Sequence, residues 1–374
     1  MISRGIWDSP KLKFQIPYAY VFVRVGREFH FFFPKKKGFW FYSLTTRRTL
    51  YCYIMRVSKI LASSTPFTIR NSISELAPMY DAFILDQYGV LHNGESSLEG
   101  AVECVETLSK QGKKLIILSN TSGPAASALA KLPKYGFDPS MFVDAVTSGE
   151  ECSRYINEEY GGEDVKRVLW FTWDGVAGNV PHPMDFLKKC GQNIIPANSV
   201  EEADFVLAHG SHVWQKEDEQ ISLGTFIADG SLEAINPILE KCLAHKVPML
   251  CANPDLVVRM PDASMGYMPG NIARRYEEMG GECKSFGKPF PEHFEACLRK
   301  LGVDASRAVH VGDSLHHDIK GANAANIDSI FITSGIHCQE LDADFGILPD
   351  ESLLKELFEK EKHCPTYVLP AFQF

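Results

Sequence analysis

The stretch Ala82-Phe83-Ile84-Leu85-Asp86-Gln87-Tyr88-Gly89-Val90-Leu91 decides the fold. Its first four residues form a short apolar run, the pattern of a strand buried on both faces. A carboxylate leaves that strand and a glycine follows closely, so Asp86 sits on a turn over the sheet edge. The same pattern recurs outward from it. Leu115-Ile116-Ile117-Leu118 is a second run, and Val102, Val105 and Leu108 fall between the two at helical spacing. Further runs are Val143–Val146, Val168–Phe171, Phe205–Ala208, Met249–Ala252, Val309–Val311 and Ser329–Ile332. Short buried strands separated by helices predict an α/β fold with a doubly wound, Rossmann-like parallel sheet.

In open parallel sheets, ligands gather beyond the carboxyl ends of the strands. Four groups stand there. Asp86 is a carboxylate able to attack phosphorus and form an aspartyl-phosphate that water then cleaves; by itself it also suits a turn cap. Ser119 and Asn120 precede Pro124 at a helix entry, where a hydroxyl and helix amides can donate to phosphoryl oxygens, although Ser and Asn are also common caps. Lys288, in Phe286-Gly287-Lys288-Pro289, offers a point positive charge or is an exposed loop lysine. Asp313 and Asp318, in Val311-Gly312-Asp313-Ser314 and onward to Gly321, are two carboxylates five positions apart around a strand-to-helix turn. Such a pair can face one hard cation, and magnesium takes oxygen ligands, often one or two carboxylates with water.

The bulk properties exclude several classes. With 45% apolar and 23% charged residues over 374 positions, the chain has the profile of a globular protein of about two domains. No apolar run is long enough to span a bilayer. The ten cysteines include no Cys-x-x-Cys pair, which reads as buried, reduced thiols and not as a zinc site. Residues 1–58 carry eleven basic side chains against Asp8 and Glu28, a balance of +9 that leaves −18 for the rest of a chain whose total is −9. A basic opening on an acidic body is consistent with an organelle presequence (plastid or mitochondrion), with a true start at Met55 in a cytoplasmic protein, or with a basic tail. The acidic body argues against nucleic-acid binding. Neither a Gly-x-x-x-x-Gly-Lys-[Ser/Thr] loop nor a Gly-x-Ser-x-Gly elbow is present.

Taken together and in this order, the four groups resemble the motifs of the haloacid dehalogenase-like (HAD) hydrolase superfamily. The long insert between Ser119 and Lys288 resembles its class IIA branch, which holds nitrophenylphosphatase-like and nucleotidase-like members. The resemblance covers about residues 75–345. It implies Asp86 as nucleophile, Ser119 as the hydroxyl of the second motif, Lys288 as the lysine of the third, and Asp313 and Asp318 as the acidic fourth motif. It also implies Mg²⁺, with the main-chain carbonyl of Tyr88 beside Asp86 in its ligand set, and Ser119, Asn120 and Lys288 on the phosphate.

By the same resemblance, residues 75–163 are the first part of the core, 164–283 an inserted α/β cap domain, and 284–345 the second part of the core. Residues 346–374 are set apart as a C-terminal tail, with one charged helix from Glu351 to Lys362 and an extended end kept so by Pro365 and Pro370. Asn253-Pro254-Asp255 resembles a further feature of the class, which makes Asn253 and Asp255 cap candidates. Trp170, Trp173, His212 and Trp214 are cap positions for substrate contact or for packing. His316 and His317 read as solvent-facing helix residues.

One position departs from the pattern. The phosphatases of the superfamily place a second aspartate two residues after the nucleophile, as general acid and base, and here that residue is Tyr88. A phenol is a poor base at neutral pH. The leading expectation is a magnesium-dependent hydrolase of a small phosphorylated metabolite, possible as a homo-oligomer. The alternative is a weakly active or non-catalytic phosphometabolite-binding protein on the same fold. Tyrosine here also resembles the dehalogenases proper, but those lack the Gly312-Asp313-Ser314 pattern, which favours phosphorus over carbon.

Overall fold

The computed structural model describes residues 21–25, 28–35, 38–44, 67–175, 183–259 and 264–374. The chain forms two units, Met1–Thr65 and Pro66–Phe374. In the first, β1 (Val21–Val25), β2 (Glu28–Lys35) and β3 (Gly38–Leu44) pair as an antiparallel meander. The sequence shows no strand period there, yet the run is dense in Phe, Tyr, Trp and Val, which favour extended backbone. A start at Met55 falls outside the described residues.

The second unit opens with β4 (Thr68–Ile69), β5 (Ala82–Leu85), α1 (Ala101–Lys110), β6 (Lys114–Ser119), α2 (Ala125–Lys131), β7 (Phe142–Thr147) and α3 (Ser148–Tyr160). A long insertion follows: β8 (Lys166–Thr172), α4 (Pro183–Cys190), β9 (Ile194–Pro196), β10 (Phe205–Ala208), β11 (Val213–Gln215), β12 (Gln220–Ser222), α5 (Phe226–Asp229) and α6 (Asn236–Ala244). It continues through β13 (Met249–Cys251), β14 (Val257–Arg259), β15 (Met265–Tyr267), α7 (Gly270–Glu278) and β16 (Cys283–Ser285). The chain then returns with α8 (Pro291–Leu301), β17 (Ala308–Gly312), α9 (Lys320–Ala324), β18 (Asp328–Ile332), α10 (Glu351–Glu361) and β19 (Tyr367–Leu369).

The core sheet has the order β4-β19-β18-β17-β5-β6-β7, and every pair in it is parallel. Alternate residues of its strands feed two apolar layers. Phe83, Leu85, Leu115, Ile117, Val309 and Val311 pack with Val105 and Leu108 of α1. Ala82, Ile84, Ile116 and Leu118 pack with Phe294, Cys297 and Leu301 of α8. This two-sided burial is why the strands read as continuous apolar runs. From β5 the chain winds outward through β6 and β7, then re-enters on the other side at β17. The switch point of the sheet lies between β5 and β17.

The insertion builds its own sheet, ordered β12-β11-β8-β10-β13-β16, with β9 added beside β8 and β14–β15 as a separate ribbon. Here β8, β10, β13 and β16 are parallel and β11 and β12 antiparallel.

Residues 346–374 are not a tail. Strand β19 lies inside the core sheet between β4 and β18, and Leu354, Leu357 and Phe358 of α10 pack on Phe331 and Val368. The strand escapes sequence reading because it is three residues long and bounded by prolines. Pro365 stands before it and Pro370 after it, where neither removes a ladder donor.

Candidate active site

Asp86 follows β5 and Asp313 follows β17, so the switch point brings together carboxylates 227 positions apart. The turn after β5 is shaped for that approach. Gly89 has φ +80°, and a Cβ on it would lie 1.9 Å from Asp313 Oδ2. The turn after β17 is as tight: a Cβ on Gly312 would meet the Asp318 carboxyl carbon at 2.2 Å. Residues Leu315–Ile319 wind as a single π-helical turn, with Ile319 N–H donating to Ser314 C=O. Such turns rotate one residue out of the α-helical register and are common at functional sites. Here the turn carries Asp318 back beneath Gly312.

The resulting cluster is buried and tightly connected. Lys288 Nζ lies 2.7 Å from Asp86 Oδ1 and 2.7 Å from Asp318 Oδ1. Oxygens of Asp86, Asp313 and Asp318 lie within 4.8 Å of one another, the one such grouping of potential metal ligands among the described residues. Asp318 is fully buried, and both its oxygens are engaged. Its Oδ1 also meets His310 Nε2 at 2.8 Å, and its Oδ2 accepts from the Ser314 amide at 3.0 Å. Asp313 Oδ2 accepts from the Ile336 amide at 2.8 Å.

These partners divide the charge unequally. Burial would raise the Asp318 carboxyl, but Lys288 and His310 outweigh it and hold the group well below the usual carboxylate range. Burial pushes Asp86 up to about 7, with Asp318 adding repulsion and Lys288 opposing. Burial also raises Asp313 well above its ordinary value, and Asp86 and Asp318 raise it further. Lys288 remains a cation because the two aspartates overcome its burial. Lys288 lies equally close to Asp86 and Asp318, and Asp318 has His310 and the Ser314 amide as well, so Asp86 and Asp313 carry the poorer compensation.

The structure sorts the other expected residues. Ser119 is buried at the end of β6, its Oγ 3.4 Å from the Thr121 amide. Asn120 is occupied with protein: its Oδ1 accepts from the Lys288 amide at 2.6 Å, and its Nδ2 donates to Lys288 C=O and to Asp255 Oδ1. Tyr88 is half-buried with its ring edge-to-face on His92, centroids 6.0 Å apart.

On the insertion, Asn253 is buried and its Oδ1 accepts from the Asp255 amide. Trp170 is fully enclosed between Val168, Phe186 and Leu250, and Trp214 packs with Phe171 and Leu223, so both are core residues and not substrate contacts. Trp173 Nε1 donates to Ser122 Oγ at 3.2 Å, and its ring meets His212 edge-on. The ends of β8 and β13 thus face the loop after β6. His316 is exposed as expected, but His317 is not solvent-facing: its Nδ1 lies 3.2 Å from Lys288 C=O and its Nε2 3.6 Å from Asp255 Oδ1.

His310 escaped the sequence reading as a site residue. Its Nδ1 meets Ile84 C=O at 3.0 Å while Nε2 holds Asp318. The available signal was a polar side chain in Val309-His310-Val311, since a histidine in a doubly buried strand must have partners.

Models of the haloacid dehalogenase-like hydrolases match residues 83–180 and 185–326, and a HAD-hydrolase-like model matches 285–372. The 4-nitrophenylphosphatase of Schizosaccharomyces pombe is 24% identical over 295 residues, covering 75% of this chain and 94% of that protein. An acid sugar phosphatase of Staphylococcus aureus is 24% identical over 287 residues, covering 75% and 96%. The crystal structure of a haloacid dehalogenase-like hydrolase from Brucella suis 1330 superposes with TM-score 0.61 at 24% identity, covering 81% of this chain and 99% of that one. Its likeness extends the agreement to the fold. With the three family matches running almost without a break from Phe83 to Phe372, this chain belongs to the haloacid dehalogenase-like hydrolases.

Proposed function

We propose that the protein is a magnesium-dependent phosphomonoester hydrolase acting through an aspartyl-phosphate on Asp86. The observation that carries this reading is the charge of the cluster. Three buried aspartates face one lysine, with His310 on the far side of Asp318. Ionised, the three carboxylates outnumber the cations beside them, and a divalent cation would balance the excess negative charge. The donors are all oxygens, which suits magnesium. Asp86, Asp313 and the main-chain carbonyl of Tyr88 would hold the ion, while Asp318 adds its charge and anchors Lys288. Bound there, magnesium supplies positive charge to the phosphoryl oxygens and neutralises the carboxylates.

The chain's own groups do the rest. Lys288 and the Ser119 hydroxyl hold the equatorial phosphoryl oxygens. An Asp86 oxygen bonds to phosphorus as the bond to the leaving oxygen breaks, and that oxygen takes a proton from solvent or departs as a stable anion. Water then attacks phosphorus, the bond to Asp86 breaks, and inorganic phosphate leaves with the carboxylate restored. The phosphatase names of the relatives support small phosphorylated metabolites as substrates.

The test is release of phosphate from 4-nitrophenyl phosphate, with and without Mg²⁺. Asp86→Asn should lower kcat by at least about 10³-fold, because it removes the nucleophile itself. Equal rates for variant and wild type would overturn the proposal. Tyr88 favours a second reading, a phosphometabolite-binding protein with little turnover, because its position lacks the carboxylate that would serve as acid and base.

A further inference from the structure

Lys288 is held at two levels. Its ammonium lies between Asp86 and Asp318, and its peptide group is gripped separately. The amide donates to Asn120 Oδ1 at 2.6 Å. The carbonyl accepts from Asn120 Nδ2 at 3.1 Å and lies 3.2 Å from His317 Nδ1. Both residues of that grip also reach one oxygen of the insertion. Asp255 Oδ1 accepts from Asn120 Nδ2 at 2.8 Å and lies 3.6 Å from His317 Nε2. Asn120 follows β6, His317 sits in the π turn beside Asp318, and Asp255 follows β13 of the inserted sheet. Three separate elements thus meet around one peptide.

Asp255 is itself fixed in place. Asn253 Oδ1 caps its amide at 3.0 Å, and its carbonyl accepts from the Gly270 amide at 3.1 Å, at the start of α7. A Cβ on Gly270 would lie 2.5 Å from that carbonyl oxygen. The carboxylate therefore moves with the inserted sheet and α7, not as a free loop.

We propose that Asp255 and His317 are positioning residues for Lys288, so that seating the inserted domain and aiming the lysine are one event. With Asp255 docked, the Asn120 amide and the His317 ring are both oriented at the Lys288 peptide. With it withdrawn, Asn120 loses its charged acceptor, and the peptide that carries the lysine loses its brace. A charge-assisted hydrogen bond of this kind is stronger than a neutral one, which is why one contact from the insertion can govern the grip. The arrangement links exclusion of water from the site to readiness of its main cation. Its kinetic consequence rests on the hydrolase reading above; its structural consequence does not.

Hydrogen exchange at the Lys288 amide in the full chain reads the network without any substrate. Asp255→Ala and His317→Ala should each speed exchange there by about tenfold or more, with the β5 and β17 amides unchanged. Asp255→Asn keeps an oxygen acceptor for Asn120 but not its charge, and should exchange at a rate between wild type and Asp255→Ala. The double alanine variant should exchange no faster than the faster single one, because both act on one network. In turnover of 4-nitrophenyl phosphate, each alanine variant should lose about tenfold in kcat with KM within about threefold of wild type. Wild-type exchange at Lys288 in both single variants would overturn the proposal, and so would effects that multiply in the double. A wild type without magnesium-dependent turnover would sink the hydrolase reading, while the exchange result would still decide the positioning role.

Discussion

Two residues of the first motif pull in opposite directions. Asp86 has the lysine, the neighbouring acids and the strand-end position that a phosphoryl-accepting carboxylate needs. Tyr88 turns its ring onto His92, which in turn stacks on Tyr135 with centroids 3.9 Å apart. A positioned general acid and base is worth about 10²–10⁴ in rate. Tyr88→Asp should therefore raise kcat on an alkyl phosphate by roughly 10²-fold or more, if the rest of the site is complete. No gain in turnover, together with thermal stabilisation of wild type by phosphorylated metabolites, would instead favour the binding protein. The substitution also empties part of the aromatic stack. A drop in Tm of a few degrees is expected either way, and only the rate discriminates.

Among the elements, β19 is the one whose importance is least visible in the sequence. It pairs with β4 on one side and β18 on the other and buries Tyr367, Val368 and Leu369. Burial of such side chains is worth roughly 1.5–3 kcal/mol each. Loss of the strand also unpairs the edge of β18 and detaches β4. Removal of residues 364–374 should thus cost several kcal/mol, a large share of the roughly 5–15 kcal/mol that holds a typical domain. A chaotrope melt of the truncated chain tests this, and a midpoint equal to wild type would refute it. The π turn shows the complementary case. Asp313 and Asp318 were legible as an acidic pair, but the register that hides Asp318 beneath Gly312 and gives it to Lys288 was not.

At the scale of the molecule, the site stores electrostatic repulsion that a cation can relieve. Asp86 and Asp313 bind their protons more tightly in the folded state than an ordinary carboxyl does. Their contribution favours folding at low pH and is lost as pH rises, through about 7 for Asp86. Asp318 has the opposite sign and loses its contribution only in strong acid, so it does not mask the effect. Without divalent cations, Asp86→Asn should gain in Tm relative to wild type between about pH 5 and about pH 8, by at least about 2 °C. Millimolar Mg²⁺ should raise the wild-type Tm and shrink that difference. A gap independent of both pH and magnesium would show that the carboxylates do not repel as the geometry indicates.

The sequence by itself was enough for the parallel α/β core and for the four groups at its strand ends. Both rest on local patterns: doubly buried strands leave uninterrupted apolar runs, and the polar residue that ends each run is where a parallel sheet places its ligands. It also exposed the oddity at Tyr88, since a substitution within one motif needs no fold to be noticed. What only the tertiary structure decided were the partnerships. Lys288 is 202 positions from Asp86, and Asn120 is 135 from Asp255, distances over which no periodicity carries information. His310 holding Asp318, His317 reaching Asp255, and Trp170 lying in a core follow from which faces pack together. So Asp86 was readable as a carboxylate at a strand end, while its shortage of positive charge emerged only once three acids were seen to share one lysine.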